Sequence, residues 1–318
     1  MKTVLFVSHK KSQCGVYVLG THATNALTRS EHYQFIRVEC ESLDELLTAV
    51  AVHCPDAIIY NYMHILFPWM ADGSFRNSMS PKIIQIGIAH DVTSLLFDYN
   101  IALDPTLPKE LGNVYGIGRL IPEYENTFVA PNKLTIGSFG FGTPGKGFER
   151  IVPSIEHEFD EAIIRFNIPY ADFGDKDGNV ARGIAEGCKA QVTKPGVQLT
   201  VTHDYWEKDE TLLDFLAQNT INVFFYEDMG VRGIASVIDM ALAAQRPIAI
   251  SDSVMFRHMR DVEPSICVAE TSLKEIISNG FAPLQGHRDK WSVENFIHGY
   301  EDIMDSIFQR TGDCNGAV

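Results

Sequence analysis

Midway along the chain, residues 134–152 read LTIGSFGFGTPGKGFERIV: an apolar strand, a glycine-rich turn closed by Lys146, then an amphipathic helix. No other stretch constrains the fold as much. A strand that turns through glycines straight into a helix opens a βα unit, and this one stands in mid-chain. A first α/β unit already starts at Met1, with the strand TVLFVS and a helix near 16–28. The mid-chain turn therefore opens a second nucleotide-binding-type domain. Its backbone N–H groups, the positive end of the helix dipole and Lys146 all suit a phosphate or diphosphate.

The rest of the pattern agrees. YQFIRV, a helix near 43–52, AIIYNY and KIIQIGI continue the first half, while AIIRFN, VQLTVT, INVFFY and PIAIS continue the second. Short β-branched runs alternating with helical segments imply parallel sheets with crossover helices. The polar connection EYENTFVAPNK follows Ile121–Pro122 and places the boundary, giving domains over 1–125 and 126–290. A terminal helix over 291–310 presents Trp291, Phe296, Tyr300, Ile303 and Phe308 at helical spacing. It needs an apolar partner on one face and is expected to pack back across the domain junction, with GDCNGAV after it as a frayed tail. The predicted class is α/β, with two tandem Rossmann-like doubly wound domains facing across a cleft.

Composition narrows the function. At 318 residues the chain suits about two ordinary domains, and 45% hydrophobic content supports substantial cores. A net charge of −15 argues against nucleic acid as the main partner and against a broadly cationic membrane face. No apolar run approaches the roughly 20 residues that span a bilayer. MKTVLFVSHKK reads as a first strand and not a signal peptide. The six cysteines lack CxxC pairing, which reads as reduced, cytoplasmic usage, and the eleven histidines lack metal-ligand spacing. No metal site is expected.

The glycine turn admits three readings. Gly140, Gly142 and Gly145 fit G-x-G-x-x-G, a weak signal alone. A dinucleotide site also wants an acid closing the next strand, and AIIRFN closes with Asn167. Gly140 to Lys146 nearly fits the P-loop, but Gly147 stands where Ser or Thr must supply a hydroxyl to magnesium. The third reading is a strand–loop–helix whose lysine meets the diphosphate of a sugar nucleotide. Polar residues gather at other strand ends too: Ser8, His9, Lys10, Lys11, Cys14 and Gly15 after the first, His90 and Asp91 after KIIQIGI, and Glu227, Asp228, Gly230 and Arg232 after INVFFY. Open α/β sheets bind ligands beyond such carboxyl ends.

These residues resemble the retaining, "group 1" type of GT-B glycosyltransferase over essentially the whole length, as a short and degenerate member. LTIGSFGFGTPGKGFERIV is similar to the family's strand–loop–Lys-Gly-Phe–helix, in which the lysine binds donor diphosphate. FLAQNTINVFFYEDMGVRGIASVIDMALAAQRPIAIS is similar to the segment running through an acidic loop to a helix and a Pro-led strand. CGVYVLGTHATNAL resembles the glycine-containing loop and first helix, and IGIAHDV the strand ending in a histidine that contacts donor sugar. Departures are equally visible: Ser138 and Phe139 stand where the family has an arginine, and the ribose-holding glutamate falls near Asp239, with Val231 eight residues before it.

The resemblance implies transfer of a sugar from a nucleotide-diphosphate sugar to an unidentified carbohydrate, lipid-linked or protein acceptor, without a metal or other cofactor. The first domain would be the acceptor side and the second would bind the nucleotide sugar. His90, Asp91 and Glu227 are the catalytic candidates. Gly15, Gly140, Gly142, Lys146, Arg232, Gly233 and Asp239 are the donor-binding candidates. Blander readings stand beside these. His90–Asp91 would cap a following helix, Gly15 would serve close packing, Glu227–Asp228 would be a solvated turn, and Lys10–Lys11 a surface run. Asp239, among Val237, Ile238, Met240 and Ala241, is costly to bury unless paired or facing a cleft. Two other functions remain: a non-catalytic nucleotide-sugar-binding protein, and an NAD(P)-dependent oxidoreductase.

Overall fold

A computed structural model describes residues 1–171, 174–230 and 233–315, the last four of these by backbone alone. The chain divides into two compact units, one built from Met1–Leu120 with the segment from Trp291 onward, the other from Ile121–Lys290.

The first unit carries a six-stranded parallel sheet in the order β2-β1-β3-β4-β5-β6. Its strands are β1 (Lys2–Ser8), β2 (Tyr33–Glu39), β3 (Ala57–Tyr60), β4 (Ile84–Ala89), β5 (Tyr99–Ala102) and β6 (Val114–Gly116). The continuous apolar run of β1 fits a strand covered on both faces. Side chains alternate across a strand, so Val4 and Phe6 enter one core and Leu5 and Val7 the other. Helices α1 (Gly15–Leu27) and α2 (Leu43–His53) follow β1 and β2. Between β3 and β4 there is no α-helix but two 3-10 turns, Pro68–Met70 and Ser74–Ser78, whose Met70 and Phe75 fill the Leu5 face with Phe67 and Phe97. β5 and β6 were not expected from the sequence. They are four and three residues long, and no helix precedes either, so the period switch that marks a βα unit is missing.

The terminal helix, numbered α9 below, spans Val293–Asn315, so it continues through part of the segment expected to fray. Its Phe296, Tyr300 and Ile303 join Val4, Phe6, Ile59 and Ile86 in one core, with Phe308 packed against it. Burying each such side chain is worth about 1.5–3 kcal/mol. Polar ties supplement the core: Ser30 Oγ donates to Glu301 at 2.6 Å and Tyr33 Oη donates to Asp305.

The second unit holds a separate five-stranded parallel sheet, β11-β10-β7-β8-β9. Its strands are β7 (Thr135–Phe139), β8 (Glu161–Asn167), β9 (Gly196–Thr202), β10 (Ile221–Phe224) and β11 (Ile248–Ile250). Helices α3 (Phe148–Glu158), α4 (Asn179–Ala190), α5 (Asp209–Ala217) and α6 (Val237–Ala243) connect them, followed by α7 (Leu273–Asn279) and α8 (Gln285–Lys290). In α3 the buried Phe148, Ile151, Val152 and Ile155 recur at one-face helical spacing. All seven residues of α6 are buried. Two parallel Rossmann-like sheets therefore replace any single sheet through both halves. Among the described residues no helix is long and apolar enough to cross a membrane.

In each sheet the order in which strands are added reverses once. In the second unit the chain lays β8 and β9 to one side of β7, then returns to place β10 on the other. In the first, β2 lies on one side of β1 and β3 on the other. Such switch points leave a crevice at the carboxyl ends of the two diverging strands.

Candidate functional site

The crevice of the second unit lies between β7 and β10, and the loops that leave these strands meet there. After β7 the chain runs through Gly140–Gly147 into α3. Three of these glycines have left-handed φ: Gly140 at 145°, Gly145 at 82° and Gly147 at 68°. Gly147 caps α3, and a Cβ on it would fall 1.9 Å from the Phe225 carbonyl oxygen. This explains why no Ser or Thr stands there, since the backbone of the neighbouring loop occupies the side-chain position. A Cβ on Gly142 would lie 2.7 Å from Ala181 Cα. The loop is drawn onto the end of β10 by the Glu227 N–H, which donates to the Gly145 carbonyl at 2.9 Å.

Lys146 projects from this loop. Its Nζ donates to Tyr226 Oη at 2.8 Å and lies 4.2 Å from the centre of the Tyr226 ring. Burial pushes the Tyr226 phenol well above the ordinary tyrosine range, so it stays neutral. The Tyr226 backbone is held from two sides: Ser251 Oγ donates to its carbonyl at 2.5 Å, and Arg150 Nη1 reaches the Phe225 carbonyl at 3.2 Å. Gly140, Gly142, Lys146 and Glu227 thus share one strand-end cluster. Glu227 and Asp228 are exposed. Asp239 is 5% exposed in the first turn of α6, where a carboxylate favours the helix dipole. Gly233 lies in the loop before α6, and Arg232 falls outside the described residues.

Asn167 ends β8 but is already engaged. Its Nδ2 donates to Thr202 Oγ1 and to the Asp204 carbonyl, both at 3.1 Å. It ties β8 to the loop after β9.

The first unit's crevice, between β1 and β3, holds a polar network. Asn61 follows β3 and is fully buried; its Nδ2 donates to the Val16 carbonyl at 2.6 Å and to Ser8 Oγ at 3.3 Å. Those two acceptors orient the amide, so its Oδ1 faces His90 Nε2 at 2.8 Å as an acceptor. The assignment comes from this network and puts the His90 proton on Nε2, leaving Nδ1 as a lone pair. Gly20 makes the arrangement possible, because a Cβ there would lie 2.4 Å from Asn61 Nδ2 and 2.6 Å from Ser8 Oγ.

His90 has its pKa lowered to about 4, first by burial and further by Arg119 and His9, against the opposing charge of Asp91. His9 is likewise lowered to about 4, by burial and then by Lys11. His9 is 1% exposed, takes the Lys11 N–H on Nδ1 at 3.1 Å, and packs on the rings of Tyr17 and Phe67. Both histidines are therefore neutral near pH 7, able to donate from one nitrogen and accept on the other.

The helix-capping reading of His90–Asp91 is corrected here. No helix follows β4, whose loop runs directly into β5, so Asp91 has no helix to cap. The close-packing reading of Gly15 also fails, since nothing lies within 4 Å of a Cβ placed on it. Lys10 is a surface cation paired with Glu45 at 2.7 Å. Tyr226 and Asn61 were missed by the sequence reading, which took both as strand residues within INVFFY and AIIYNY. Their signal was position, as polar groups just past the ends of strands flanking a switch point.

Among the described residues no group of three or more His, Cys, Asp or Glu side chains could hold a metal ion. No protein-family model matches the sequence, and no curated protein matches it. Solved structures do match in fold. Sucrose-phosphate synthase from Thermosynechococcus elongatus superposes with a TM-score of 0.69 at 11% identity, covering 98% of this chain and 100% of that one. HepE from Anabaena, solved with UDP and glucose, gives 0.66 at 12% identity over 96% and 100%. Trehalose-6-phosphate synthase OtsA gives 0.65 at 10% identity over 96% and 99%. At these identities the likeness is one of architecture, and it identifies the pair of Rossmann-like units as the GT-B fold.

Proposed function

We propose that this protein is a glycosyltransferase of the retaining "group 1" type, moving a sugar from a nucleotide-diphosphate sugar to an acceptor hydroxyl without a metal. The observation that carries the reading is Lys146, held on a buried phenol beside a sterically obligatory glycine loop at the switch point of the second sheet. In transfer, the bond from the sugar's anomeric carbon to the diphosphate breaks and one to the acceptor oxygen forms. The acceptor proton passes to the departing phosphate oxygen on the same face, so a retaining reaction needs no protein base opposite. Lys146, Arg232 and the N–H groups around Gly140, Gly142 and Gly233 would stabilise the growing negative charge by electrostatic preorganisation. Asp239 would hold the ribose. His90 would accept a sugar hydroxyl on Nδ1, with Asp91, Glu227 and Gly15 completing the donor and acceptor sites.

HepE was solved with UDP-glucose bound, which supports a nucleotide sugar as donor for this fold. The occupied Asn167 amide speaks against the NAD(P) alternative, which needs a carboxylate at that strand end for the ribose hydroxyls. The described cysteines are free thiols, which supports a reducing, cytoplasmic setting.

The test is a thermal-shift screen against UDP-, GDP-, ADP-, CDP- and dTDP-sugars. A specific donor stabilises by about 2.7 kcal/mol at a hundredfold excess over Kd. Lys146→Ala is then expected to weaken nucleoside-diphosphate binding roughly ten- to a hundredfold in calorimetry with the fold intact, the loss of a charge-assisted contact. Unchanged affinity would remove this loop from the site. A donor that binds yet is never transferred or hydrolysed would favour a non-catalytic binding protein.

A further inference from the structure

We propose that Tyr226 is the positioning residue of this site: its buried phenol oxygen fixes the Lys146 ammonium over the glycine loop, ready for the diphosphate of a nucleoside diphosphate. The inference rests on the transferase reading above and adds a residue to it. A lysine has a long, flexible stem, and freezing its rotamers costs free energy that a ligand must otherwise supply on binding. Here the ammonium is already placed, 2.8 Å from Tyr226 Oη and 4.2 Å from the ring centre. The platform beneath it is rigid. Tyr226 is 2% exposed, packs at a tilt against the Phe256 ring with centroids 5.0 Å apart, and has its carbonyl bound by Ser251 Oγ at 2.5 Å. The next residue, Glu227, anchors the same segment to the loop that bears the lysine.

The choice of partner matters as much as the placement. A carboxylate at this position would hold the lysine equally well but would cancel its charge. A phenol kept neutral by burial holds it without adding a negative charge of its own. Tyr226 touches no reacting atom in this scheme and acts through Lys146.

Calorimetry on the full chain uses UDP, GDP, ADP, CDP and dTDP, each beside its nucleoside. Tyr226→Phe is expected to weaken the bound diphosphate about five- to twentyfold while nucleoside affinity stays unchanged. In a Lys146→Ala background the same change should do nothing more, since the two residues act as one unit. Parent-like diphosphate affinity in Tyr226→Phe, or losses that simply add, would overturn the proposal.

A second measurement needs no nucleotide: acylation by an N-hydroxysuccinimide acetate, read per lysine by mass spectrometry. Lys146 of the parent should react more slowly than exposed Lys176, and Tyr226→Phe should speed it severalfold. Equal rates for Lys146 and Lys176 in the parent would overturn the positioning role whether or not the variant folds. Protection of Lys146 in a parent that binds none of the five diphosphates would instead keep its placement, overturn the diphosphate as its ligand, and count against the transferase reading.

Discussion

The two units repeat one device, a βα turn leaving the first strand of a parallel sheet, and they build it differently. After β1 the turn from His9 to Gly15 tolerates side chains: Gly15 faces open space, and Lys10 lies on the surface with Glu45. After β7 the four glycines of the turn from Gly140 to Gly147 leave no place for a side chain of their own, because three have positive φ and two have a neighbour's backbone where a Cβ would stand. In the first unit the buried polar chemistry sits beneath the turn, in Ser8, Asn61 and His90. In the second it sits on the turn itself, as Lys146 on Tyr226. Glycine at these four positions places no side chain over the neighbouring backbone N–H groups. That suits a group read by N–H donors and one lysine, whereas neutral histidines and an amide suit hydroxyl groups.

The largest expected effect tests the steric half of this contrast. Gly147→Ala should destabilise the second unit by about 4 kcal/mol, combining left-handed strain with a clash against the Phe225 carbonyl. Gly15→Ala should change stability by no more than about 0.5 kcal/mol. Urea unfolding measures both, and comparable losses would erase the distinction between the turns.

Acid should separate the units next. A histidine buried neutral, with its pKa lowered to about 4 from 6.5, binds fewer protons folded than unfolded. Stability is then full above pH 6.5 and declines as pH falls toward 4. A pKa that far below the free histidine value lets each ring cost up to about 3 kcal/mol at the acid end. Around His90 the charged neighbours are Asp91, Arg119 and His9; around His9 they are Lys11 and Glu39. Hydrogen exchange should accelerate in β1 before β7 between pH 6.5 and 4, and His90→Gln should blunt that difference. Loss of β7 protection first would contradict it.

The smallest effect is the most diagnostic for chemistry. Asp239→Asn should weaken nucleotide sugars and free nucleoside diphosphates alike by about tenfold, near 1.4 kcal/mol, because the ribose is common to all. His90→Ala should leave the free diphosphate untouched and lower turnover, since its proposed partner is the sugar. Parent-like binding and turnover in both variants would make these residues structural and dissolve the division of labour between units.

What the sequence determined by itself is what short-range patterning encodes. The apolar period of β1, the helical face of α3 and the glycines running into Lys146 each announce a βα step, and their alternation demands parallel sheets. The mid-chain turn was legible as a phosphate-type loop because its glycines lie close together in the chain. The tertiary structure alone decided what depends on distant segments meeting. β5 and β6 are too short to carry a period and exist because β4 offers β5 an edge and β5 offers β6 the next. Gly147 is obligatory because its φ is left-handed and the Phe225 carbonyl lies against it, and Gly20 because Asn61 and Ser8 do. Tyr226 read as one more strand residue until the strand order set β10 beside β7. Hydrophobic periodicity is local and survives in the one-dimensional record, whereas a hydrogen bond between residues 80 positions apart is fixed by the crossover that brings them together.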